Sequence, residues 1–75
     1  MTRPLYVIAK DIFRSWPKIS PYALPYVEAM QQLVMIDDMY YDDSGKSVVL
    51  YFLSNATTWR GDDARRIKAE LKAMI

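Results

Sequence analysis

Apolar residues near the start of the chain recur every three or four positions, which is the spacing of one face of an α-helix. The members of this first stripe are Leu5, Ile8, Ile12 and Trp16. Pro4 suits the first turn of such a helix because its missing N–H has no partner there. Pro17 ends it, since the residue before a proline avoids helical geometry. The pattern therefore predicts a helix over residues 4–16.

A second helix is predicted over residues 22–35. Ser20 is placed to cap it, and Pro25 separates a short opening turn from the helix proper. We expect it to end at about Leu33 or Met35. The inward positions are predicted to be Val27, Met30 and Val34.

Gly61 is predicted to interrupt the chain, and Asp62 or Asp63 is predicted to cap a last helix that runs through Ile75. Its inward stripe comprises Ala64, Ile67, Leu71 and Met74. Arg66 and Glu70 are four residues apart on this helix, so we expect them to form an ion pair.

The longest apolar run, residues 48–53, is open to two interpretations. Its β-branched and aromatic residues favour a strand, for which residues 36–41 would be the hairpin partner. Val49, Phe52 and Ala56 instead share a helical face, and the segment from Asp42 to Ser44 offers an N-cap. We expect a mostly α fold, a compact single domain of about four short helices over residues 1–75. The alternative is an α+β fold in the order helix, helix, hairpin, helix.

Composition removes most catalytic chemistry. The 75 residues include no cysteine and no histidine, which excludes cysteine nucleophiles, histidine acid–base catalysis and zinc sites of the usual kind. Charged residues interrupt the N-terminal apolar positions, so no signal peptide is expected, and no run approaches the length of a membrane span. We therefore expect no enzyme, cofactor, metal site, small-molecule substrate or membrane association.

The net charge of +1 hides an uneven distribution. Residues 21–45 contain five acidic residues and no basic one, whereas both flanking segments are basic. The four aspartates in residues 37–43 lack EF-hand spacing and indicate a solvated acidic loop or a surface for a basic partner.

Tyr22 and Tyr26 are predicted to pack against the first helix, with an aromatic contact surface as the alternative.

The basic residues of the last helix raise the alternative of a small nucleic-acid-binding protein. Spaced positive side chains are what phosphate contacts need, although such a stripe is also an ordinary solvated face. The candidates for nucleic-acid binding are Arg60, Arg65, Arg66, Lys68 and Lys72.

Several segments together resemble a family of short bacteriophage proteins. They are RPLYVIA (residues 3–9), PYALPYVEAM (21–30), DSG (43–45), FLSNA (52–56), WRG (59–61) and IKAELK (67–72). In size the chain is also similar to a small phage protein that binds host bacterial RNA polymerase and redirects transcription. The resemblance implies a viral protein of the host bacterial cytoplasm whose partner is a host protein, most plausibly RNA polymerase. The resemblance does not assign contact residues; from their charge and position we expect the contacts at Arg3, Tyr6 and Lys10, or alternatively on the stripe from Arg65 to Lys72.

Overall fold

The computed structural model describes residues 2–75, which contain four α-helices and one short β-hairpin. The elements are α1 (Leu5–Ser15), α2 (Leu24–Met30), β1 (Met39–Tyr40), β2 (Asp43–Ser44), α3 (Gly45–Asn55) and α4 (Asp62–Lys72). Helix α2 packs between α1 and α3, and α4 lies against α1. The prediction of a mostly α fold with about four short helices is confirmed. None of the helices in residues 2–75 is long and apolar enough to cross a bilayer.

The central apolar run is helical, so the strand interpretation is wrong. Ser44 caps α3, because its Oγ accepts a hydrogen bond from the Ser47 N–H at 3.2 Å. The helix buries Val49 and Phe52, and Ala56 at its end is also buried. The hairpin pairs Met39 with Ser44 and Tyr40 with Asp43, so it precedes the run rather than containing it.

An aromatic cluster joins three parts of the core. The rings of Trp16 and Trp59 stack with centroids 5.1 Å apart, and Phe52 meets both edge-on. Trp16 follows α1, Phe52 belongs to α3 and Trp59 precedes α4. Stacked and edge-on aromatic pairs add about 0.5–1.5 kcal/mol each beyond the apolar area they bury. The cluster therefore holds the ends of these helices together.

Helix α2 ends at Met30, earlier than predicted, and Val34 is 52% exposed rather than inward. The chain turns after Met30, and the backbone that follows forms hydrogen bonds with the first residues of α1. The carbonyls of Leu33 and Val34 accept hydrogen bonds, both of 2.9 Å, from the N–H groups of Tyr6 and Leu5 at the start of α1. We call residues 33–38 the capping segment.

The capping segment also supports the start of α3. Gly45 donates its N–H to the Asp38 carbonyl at 2.7 Å, and Lys46 donates to the Ile36 carbonyl at 2.9 Å. The Asp38 carboxylate in turn accepts from the N–H groups of Val34 and Met35, at 2.9 Å each. These hydrogen bonds keep the pKa of Asp38 below its ordinary value. Asp38 therefore has a structural role in the acidic stretch, because its carboxylate and its carbonyl both accept backbone hydrogen bonds.

Helix α4 begins differently from the prediction. Gly61, with φ of +111°, occupies the N-cap position and no side chain caps the helix. Asp62 and Asp63 lie in the first turn instead, where a negative charge also suits the helix dipole. The prediction that one of them caps α4 is wrong.

Replacing Gly45 with alanine should destabilise the protein. An added Cβ would lie 2.8 Å from the Met35 carbonyl oxygen and 2.9 Å from the Ile36 Cα, both backbone atoms that cannot rotate away. We expect the free energy of unfolding to fall by about 1–3 kcal/mol, measured by urea denaturation. The exposed Ser54→Ala variant of the same helix should change it by less than about 0.5 kcal/mol. Equal stability of the two variants would contradict this close approach.

Candidate functional site

A cluster of ion pairs connects the N-terminal segment, α1 and α4. Arg3 binds both carboxylate oxygens of Glu70, with Nε–Oε2 at 2.8 Å and Nη2–Oε1 at 2.6 Å. Asp11, only 6% exposed, has Arg66 Nη1 and Arg3 Nη2 each at 3.1 Å from its Oδ2. We call these four residues the arginine–carboxylate cluster. The predicted pair of Arg66 with Glu70 is replaced by these longer-range contacts.

Electrostatics within the cluster favour the charged forms. The hydrogen bond from Arg66 is the main reason that the pKa of Asp11 lies far below its ordinary value, and Arg14 and Arg3 add to it against the opposing effect of burial. The hydrogen bond to Glu70 raises the pKa of Arg3, and the same contact lowers the pKa of Glu70. The cluster therefore holds its carboxylates ionised at neutral pH.

The three residues predicted to contact a protein partner have different environments. Tyr6 is 39% exposed, and Lys10 lies over its ring with Nζ 5.9 Å from the centroid. Arg3 and Lys10 line one shallow groove of ≈ 250 Å³ beside α1. The guanidinium of Arg3 is already bound to Glu70, so Tyr6 and Lys10 are the more available pair. Their role as partner contacts stays a prediction.

Ion pairs compensate part of the predicted nucleic-acid-binding set. Arg65 pairs with Asp62, and Arg66 pairs with Asp63 at 3.1 Å as well as with Asp11. These two arginines therefore carry less free positive charge than their sequence positions indicate.

The rest of the set forms a basic patch, which we define as Arg60, Lys68 and Lys72. Lys68 donates from Nζ to the Trp59 carbonyl at 2.7 Å and lies 6.0 Å from the centroid of that ring. Its pKa is lowered, first by burial and then by the charges of Lys72 and Arg60. Within residues 2–75, Arg60 and Lys72 form no salt bridge.

The two tyrosines predicted to pack against the first helix have different environments. Tyr22 is 75% exposed, so the prediction is wrong for that residue. The Tyr26 ring stacks on Tyr51 of α3, with centroids 5.6 Å apart. Sequence spacing could not indicate this contact, because it joins two different helices.

A groove of ≈ 470 Å³ lies between α2 and the hairpin. Its lining includes Tyr26 and Glu28 from α2, and Tyr40 and Asp43 from the hairpin. We call these four residues the tyrosine groove. Its lining contains no lysine or arginine, and neither carboxylate forms a salt bridge within the described residues. Sequence analysis found the tyrosine and acid content of this region but not the groove.

Tyr41, at the hairpin tip, has a backbone conformation that is unfavourable for a bulky residue. Its φ is +55°, its side chain is 86% exposed, and its ring meets Tyr40 edge-on at 4.8 Å. A non-glycine residue in this region costs about 1–2 kcal/mol, which Gly or Asn would reduce. The hairpin tip therefore carries an exposed aromatic ring at a position whose backbone conformation favours Gly or Asn.

A second groove, of ≈ 510 Å³, separates the N-terminal segment from the capping segment. Pro4, Val34, Met35 and Met74 contribute apolar surface to it, and Met35 is 57% exposed.

Across residues 2–75 no three acidic side chains are grouped in a way that could hold a metal ion.

The chain was compared with known proteins in three ways. Family models, curated proteins and solved structures each yielded no match. The resemblance to short phage proteins stays a prediction.

Replacing Asp11 with asparagine should lower stability and change its pH dependence. A carboxylate whose pKa is lowered on folding stabilises the protein above its unfolded pKa of about 4, and this contribution is lost as the pH falls. Since the arginines can regain water, we expect a loss of about 2 kcal/mol at pH 7, less than for a fully buried pair. Denaturation between pH 2 and 7 should show a flatter acid limb in Asp11→Asn than in the wild type.

The matched control is Asp62→Asn, because Asp62 is 95% exposed in its pair with Arg65. It should follow the wild-type pH profile within about 0.5 kcal/mol. An Asp11→Asn profile parallel to that of the wild type would show that Asp11 does not carry the acid dependence.

Proposed function

We propose that this protein is a non-enzymatic interaction module that binds another protein through its tyrosine-rich side. The observation that carries the proposal is the exposure of large apolar side chains around the tyrosine groove. Tyr41 is 86% exposed and Tyr51 is 51% exposed, and their rings contact Tyr40 and Tyr26 respectively. Tyrosine is enriched at the centres of protein interfaces because it buries a large area with few rotatable bonds.

Bacterial RNA polymerase is the proposed partner, with the chain acting as a phage protein in the host cytoplasm. Support for this partner comes from the resemblance of the sequence to short phage proteins. The acidic segment over residues 21–45 supports electrostatic steering towards a basic surface of a larger protein. The extents of the chain, 29 × 28 × 18 Å, allow one face to provide the roughly 800 Å² that a standard interface needs from each partner.

A direct test is to measure binding of the purified protein to bacterial RNA polymerase, together with run-off transcription. We expect binding and altered transcript yield for the wild type. Tyr41→Ala combined with Tyr51→Ala should weaken binding at least about tenfold, the loss of one interface hot spot. Circular dichroism of each variant would confirm that it remains folded.

Two matched variants make the test specific for a face. Tyr6→Ala with Lys10→Ala removes the contacts predicted from sequence, and Thr57→Ala with Thr58→Ala changes an exposed loop. Loss of binding in the Tyr6 and Lys10 variant alone would assign the interface to α1. No binding and no effect on transcription by the wild type would overturn the polymerase proposal.

The basic patch favours nucleic-acid binding as a second candidate function, because Lys68 lies close enough to Arg60 and to Lys72 to be affected by both of their charges. A gel shift with duplex DNA and with RNA should then show binding that weakens steeply with salt. Arg60→Ala with Lys72→Ala should weaken it more than Lys18→Ala with Lys46→Ala, which removes the same charge elsewhere. The absence of any shift at low salt would exclude this candidate.

A further inference from the structure

We infer that the tyrosine groove binds a protein segment that presents arginine or lysine side chains. This inference rests on the proposed function as an interaction module and names the chemistry of the partner. It concerns Tyr26, Glu28, Tyr40 and Asp43, which line one groove although they come from two elements.

The groove is large enough to admit a long side chain. Its volume of ≈ 470 Å³ falls within the range of about 300–1,000 Å³ that is usual for ligand pockets. Helix α2 supplies one tyrosine and one carboxylate, and the hairpin supplies the same pair. A ligand in the groove would therefore meet an aromatic ring and an acceptor from each side.

The charges of the groove select a cation. Tyrosine faces attract guanidinium and ammonium groups, and carboxylates accept charge-assisted hydrogen bonds from them. Glu28 and Asp43 have no salt-bridge partner in the described part of the chain. A nucleic acid would be repelled, and a purely apolar segment would desolvate both carboxylates without compensation.

Neighbouring aromatic rings contact the two tyrosines of the groove. Tyr51 stacks on Tyr26 with an interplanar angle of 28°, and Tyr41 meets Tyr40 at 82°. Rings restrained before binding lose less conformational entropy when a ligand arrives.

The test is an NMR titration of the ¹⁵N-labelled full chain with an eight-residue Gly/Ser peptide carrying three arginines, and with matched lysine and glutamate peptides. We expect saturable shifts around Tyr26 to Glu28 and Tyr40 to Asp43 with the cationic peptides only. Glu28 and Asp43 are both exposed. The double variant Glu28→Gln, Asp43→Asn should bind the arginine peptide with an affinity at least about tenfold lower, as expected for loss of charged acceptors.

The control, Asp37→Asn with Asp62→Asn, changes the net charge equally but lies outside the groove. It should alter affinity by less than about threefold, because exposed charges at a distance are screened by salt. Chemical-shift changes spread over the whole acidic segment would overturn the inference. So would an equal loss of peptide affinity in both double variants. Self-association that Glu28→Gln with Asp43→Asn abolishes would also overturn it, since the occupant would then be a second copy of this chain.

Failure of this inference can be told apart from failure of the proposed function. Polymerase binding that survives in the Glu28→Gln, Asp43→Asn variant, without peptide binding by the wild type, would overturn the groove and leave the interaction module intact. Peptide binding without polymerase binding would support the groove and overturn the polymerase as partner.

Discussion

Two helices of this protein donate their first N–H groups to backbone carbonyls of the capping segment, residues 33–38. The first N–H groups of a helix have no partner within it, and α1 has no side-chain cap to supply one. Leu33 and Val34 provide carbonyls to α1, while Ile36 and Asp38 provide them to α3. The segment must therefore turn sharply after α2, and this turn brings its backbone within contact distance of Gly45. One short connection thus sets the positions of α1 and α3, against which α2 packs.

The arginine–carboxylate cluster supplies a second long-range constraint, because it ties the N-terminal segment and α1 to α4. It also shows why charged residues are hard to assign from sequence. Arg3 and Arg66 were candidates for contacts with a protein and with nucleic acid, yet both bind carboxylates of this chain. Ion pairing within the fold removes much of the positive surface that the basic segments indicate.

The acidic segment has the opposite outcome. The Asp38 carboxylate accepts hydrogen bonds from the backbone of the capping segment, whereas Glu28 and Asp43 line the tyrosine groove and form no salt bridge within residues 2–75. None of the five acidic residues in residues 21–45 forms a salt bridge within residues 2–75, so this part of the surface keeps its negative charge despite a net charge of +1. This charge explains why the side formed by α2 and the hairpin is the part best suited to a basic partner.

The sequence by itself determined the helices and buried faces whose signals are local. The stripes of α1 and α4 follow from spacing and from neighbours a few residues away. For residues 48–56 the sequence indicated a helical face and a cap within residues 42–44 but left a strand open, and the structure decides for the helix. Only the tertiary structure decided that α2 ends at Met30 and that Val34 is exposed. The reason is that the carbonyls of Leu33 and Val34 accept hydrogen bonds from the first N–H groups of α1 instead of continuing α2. It also paired Arg3 with Glu70, 67 residues apart, and Arg66 with Asp11, 55 residues apart. The tyrosine groove belongs to the same category, since its two walls come from separate elements and no local pattern records their meeting.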